Sequence, residues 1–64
     1  MDLQQATKNA QELANLTRGH YVVLECTDGY FPSWFEYYKQ HHYSRTIITH
    51  VMPEKEYLAF RAQA

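Results

Sequence analysis

Sixty-four residues carrying a formal net charge of −1 make one small domain, residues 1–64, with no overall field to attract nucleic acid or an anionic membrane. With 45% hydrophobic and 20% charged residues the chain reads as globular rather than disordered, and no apolar run reaches the roughly 18–20 residues that a membrane-spanning helix needs. One cysteine, Cys26, excludes an internal disulfide and suits a reducing compartment. The opening residues lack the basic and apolar regions of a signal peptide, so a cytoplasmic location is expected.

In chain order, Asp2 to Arg18 is predicted to be an amphipathic helix. Asp2 serves as N-cap, with Gln5 placed to close a capping box. Leu3, Ala6, Ala10, Leu13 and Leu16, with Ala14 alongside, recur at spacings of three and four and are taken as the buried stripe. Gly19 stands where a left-handed C-terminal residue is wanted. His20 to Cys26 reads as a strand with Val22, Leu24 and Cys26 on one face and Tyr21, Val23 and Glu25 on the other. Apolar groups on both faces predict that both are covered. Thr27-Asp28-Gly29 follows as a turn.

Tyr30 to Tyr43, YFPSWFEYYKQHHY, holds seven of the ten aromatic residues and organises everything else. At about 150–250 Å² per ring and about 25 cal/mol per Å², the seven offer on the order of 35 kcal/mol of gross burial. A chain this short must either build its core from them or hold some back for a partner. The preferred reading is a helix from Trp34 to about His42, capped by Ser33 with Glu36 completing the box. On it Trp34, Tyr38 and His41 or His42 share a face, and Tyr37 falls toward another. The alternative is a hairpin on Asp28-Gly29 with Tyr30 to Tyr38 as a strand, which β-prone aromatics favour and Pro32 opposes.

Arg45 to Met52 is predicted as a strand, and Pro53 as the opening of a last helix that buries Tyr57, Leu58, Phe60 and Ala62. The expected fold class is therefore α+β: a small sheet of two or three strands flanked by N-terminal and C-terminal helices, ordered α-β-α-β-α, or α-β-β-β-α if the aromatic stretch is extended. The second order is that of double-stranded-RNA-binding domains. Those begin the last helix with phosphate-contacting lysines, whereas Glu54 and Glu56 here flank a lone Lys55, and no family is assigned.

No catalytic group and no cofactor is expected, there being no glycine-rich phosphate loop and no nucleophile turn around Cys26. His20, His41, His42, His50 and Cys26 hold metal-ligating atoms, but no pair has CxxC or HxxxH spacing, so no metal is expected either. The expected function is a non-enzymatic protein-interaction module that self-associates, most simply as a homodimer, because a small chain with unpaired sheet edges gains from a second copy. Its partner-binding residues would be Trp34, Tyr37, Tyr38, His41 and His42, with Tyr30 and Tyr43 at the margin, and its partner another protein. The alternatives are a nucleic-acid-binding domain using Arg18, Lys39 and Arg45, or a subunit whose task is assembly alone.

Overall fold

A computed structural model describes residues 1–54, arranged as α1 (Leu3–Thr17), β1 (Tyr21–Cys26), β2 (Gly29–Trp34), α2 (Phe35–His41) and β3 (Ile47–Val51). The three strands form one antiparallel sheet in the order β2-β1-β3. The fold class is α+β, as expected, with a three-stranded sheet. The expected final helix opens at Pro53, and from residue 55 onward it lies outside the described residues. No described helix is long and apolar enough to cross a membrane.

The element order departs from both expected orders because the aromatic stretch divides. Residues 29–34 pair with β1 all along, and the chain turns helical at Phe35. Ser33 is therefore not a helix cap. It is a buried strand residue whose hydroxyl donates to the Trp34 carbonyl at 3.2 Å, and Trp34 holds the N-cap position without a side-chain cap bond. Pro32 is tolerated because β2 is an edge strand. Tyr30 points its N–H away from β1, to the Met1 carbonyl oxygen at 2.8 Å, so Pro32, two residues on, has its missing donor on the same outer edge.

The hairpin between β1 and β2 closes on Thr27-Asp28, with Cys26 opposite Gly29. Gly29 has φ +138°, and a β-carbon there would fall 2.6 Å from the Met1 carbonyl oxygen, so glycine is required on two counts. At the other sheet boundary, Ile48 is left without an opposite residue where the β1–β3 register shifts.

Asp2 caps α1 as expected, accepting the Gln5 N–H at 2.7 Å, while the Gln5 side chain donates onward to Asn9 rather than back to the cap. The buried stripe is narrower than the sequence suggests. Ala6, Ala10 and Ala14 are fully buried and pack with Val23 and Val51, against which Tyr21 and Tyr30 also rest. Leu3, Leu13 and Leu16 lie exposed. Leu3 keeps to the alanine face but lies in the first turn, whereas the closer spacing beyond Ala10 winds Leu13 and Leu16 off that face, Leu16 by about 120°. Three alanines one turn apart let the helix backbone approach the sheet closely.

At the end of α1 the left-handed residue is Arg18, φ 60°, not Gly19. Gly19 serves a different need: a β-carbon there would sit 3.3 Å from the Trp34 indole nitrogen, so its bareness makes room for that ring. On the face of β1 away from α1, Val22 and Leu24 are also fully buried, and α2 is placed over that face through Phe35, whose N–H donates to the His20 carbonyl at 2.9 Å. Both faces of the sheet are thus covered, as the sequence of β1 implies.

Candidate functional site

None of the fully buried side chains among the described residues is aromatic; the interior is alanine, valine and leucine. The rings of the Tyr30–Tyr43 stretch are spread around this interior, and they divide into inward and outward sets.

Phe35 and Tyr38 form the inward set. Phe35 stacks on His20 with ring centroids 4.4 Å apart, and Tyr38 stacks behind Phe35 at 6.0 Å. The Tyr38 hydroxyl reaches back to the Tyr43 carbonyl at 3.3 Å, tying α2 to the loop that follows it. Tyr30 rests on the α1 core. The expected shared face of Trp34 and Tyr38 is therefore not formed, because β-strand geometry at Trp34 and helical geometry from Phe35 onward send their side chains to different places.

Tyr37 turns the other way, against the rings of His41 at 4.3 Å and His42 at 5.3 Å, and His42 meets the Phe31 edge at 5.6 Å. Relative exposure is 49% for Tyr37, 52% for Trp34 and 75% for Tyr43, and His41 is exposed as well. Tyr38, His42 and Tyr30 are half-buried. Four of the seven expected contact residues thus stand in solvent, and three serve partly as packing.

Trp34 does not stand alone. Alternation along β2 puts Pro32 and Trp34 on the α1 face of the sheet. There Leu13 and Leu16 of α1, with Asn9 and Glu12, line a groove together with Pro32. Leu16 is 80% exposed. The sequence reading missed this flank by placing both leucines in the core; their angular drift from the alanine stripe is the signal that could have found it.

The cations are dispersed. Lys39 pairs with Glu36 at 3.1 Å and lies over the Phe35 ring, Arg45 lies over the Phe31 ring at 5.5 Å, and Arg18 sits at the end of α1. Cys26, His41, His42 and Arg45 border an open polar depression beside the hairpin.

The closest polar convergence on the α2 side of the sheet is one that sequence spacing does not reveal. His20 Nε2 and His50 Nδ1 are 2.9 Å apart, and Phe35 backs both rings, stacked on the first and edge-on to the second at 5.7 Å. His20 is held below the ordinary histidine range, first by burial and then by the neighbouring His50; Glu36 opposes the shift and Lys39 adds to it. Antiparallel pairing sets His50 opposite Val22, diagonal to His20 on one face.

No protein-family model, no curated protein and no solved structure matches the chain.

Proposed function

We propose that the protein is a non-enzymatic interaction module of the cytoplasm that self-associates and offers exposed ring surface to a protein partner. The observation that carries this reading is the separation of interior from rings: Ala6, Ala10, Ala14, Val22, Val23 and Leu24 fill the inside while Trp34, Tyr37 and Tyr43 stay in water. Tyrosine and tryptophan gain a large contact area on docking at low entropic cost, because each has only two rotatable bonds to order. Leu13, Leu16 and Pro32 extend the Trp34 side of this surface with aliphatic area. The cations are dispersed, and Lys39 and Arg45, the two nearest the rings, already lie against a carboxylate or a ring, which favours a protein partner over a phosphate backbone.

Sedimentation velocity over the micromolar range tests self-association. A mass rising above 7.6 kDa with concentration supports it, and 7.6 kDa at every concentration overturns it. The ring surface is tested with a Trp34→Ala/Tyr37→Ala variant. Contacts that the parent makes and this variant loses, with the circular dichroism unchanged, support the reading. Retention of every contact by the variant overturns it.

A further inference from the structure

We propose that His20 and His50 form a two-imidazole chelate for a divalent transition-metal ion of the zinc and copper class. His20 Nε2 and His50 Nδ1 already face each other at 2.9 Å, sharing one hydrogen bond. Metal–nitrogen bonds of about 2.0–2.1 Å at a tetrahedral angle need the two nitrogens about 3.3 Å apart and each aimed about 35° off the line between them, so a widening of roughly 0.4 Å with a turn of each ring makes room for an ion. The ring centroids, 5.1 Å apart with a 46° tilt, already have nearly the separation that such a chelate requires.

Two features make the pair more than a chance approach. The rings belong to different parts of the chain, before β1 and within β3, and the β1–β3 register fixes their backbones on the same sheet face. Phe35 then limits what either ring can do, since it stacks on His20 and meets His50 edge-on, while its own N–H is bonded to the His20 carbonyl. These contacts keep the two donors together before an ion arrives, and a turn of each ring off the shared axis completes their aim. His50 is exposed and supplies the entry side.

Among the described residues no third histidine, cysteine or carboxylate completes a cluster with the pair. Water or a donor from outside takes the remaining positions. Imidazole nitrogen suits zinc, copper and nickel, with copper(II) bound tightest in the usual order of divalent ions. The facing nitrogens must be bare to bind, so the ring that donates the shared hydrogen bond gives up that proton and takes one at its second nitrogen, with no net release from the neutral pair, and uptake weakens in acid, where the imidazoles are protonated.

The test is titration of the full chain with zinc chloride by calorimetry, alongside His50→Ala, His20→Ala and, as a control for the other donors, Cys26→Ser/His41→Ala/His42→Ala. Saturable uptake of one ion is expected in the parent and in the control, and its loss in both single-histidine variants. Because His20→Ala also removes a packed ring, nitrogen-15 shifts of the imidazoles are read in the parent. Zinc should move Nε2 of one ring and Nδ1 of the other, and leave their second nitrogens protonated. Absence of saturable binding in the parent, uptake by His50→Ala equal to the parent's, or shifts confined to His41 and His42 would each overturn the site.

Discussion

His20 and His50 are thirty residues apart in the chain and 2.9 Å apart in space, joined by a single hydrogen bond against the face of Phe35. An N–H···N bond needs one bare nitrogen, and burial already disfavours charge on His20. Its pKa is lowered relative to the unfolded chain, where histidine titrates near 6.5. Between the folded value and about 6.5 the unfolded chain binds more protons, so stability rises with pH in that window. Urea unfolding in chelator-containing buffer should give full stability above about pH 6.5 and progressive loss as pH falls through the window. His20→Gln should flatten that part of the profile. An unchanged slope in the variant would assign the effect to other groups.

Ala10 is on the buried face of α1 with no exposed surface, whereas Leu16 is the more hydrophobic residue and stands outside. Ala10→Leu should therefore cost about 1–3 kcal/mol through overpacking, and Leu16→Ala should change folding stability by no more than about 0.5 kcal/mol. Chemical denaturation of both variants checks the ranking, which is the reverse of what hydrophobicity alone suggests.

Gly29→Ala should destabilise by about 1–3 kcal/mol, since it forces a side chain into φ +138° and against the Met1 carbonyl. The amide of Tyr30, bonded to that carbonyl, should lose protection from hydrogen exchange in the same variant.

Arg18 occupies a left-handed position that glycine would adopt without steric cost. Arg18→Gly should raise stability by about 0.5–1 kcal/mol, with the midpoint of thermal unfolding moving upward. A fall would mean that the guanidinium makes a contribution larger than the relief of strain.

Much of this architecture is legible in the sequence because local chemistry specifies it. Asp2 with the following helix, the two-faced strand from Tyr21, and the turn before Gly29 each follow from residues within a few positions. The alanine stripe was present but was read together with leucines that wind away from it. Tyr30–Tyr43 resisted a single assignment because its propensities conflict: pairing with β1 holds it extended as far as Trp34, and nothing local marks Phe35 as the point where the helix begins. Gly19 shows how a long-range contact can take over a residue suited to a local role, since the Trp34 indole, fifteen positions on, occupies the space beside it. The histidine pair depends wholly on strand register, which a search along the chain for ligand spacing does not sample.

The N-terminal carbonyl and Pro32 together leave β2 with little to offer an incoming strand: one outward donor is already satisfied and the next does not exist. Among the described residues, the margin left for strand addition is that of β3. Two molecules joined there would each turn outward a margin poor in donors, which disfavours growth beyond a pair.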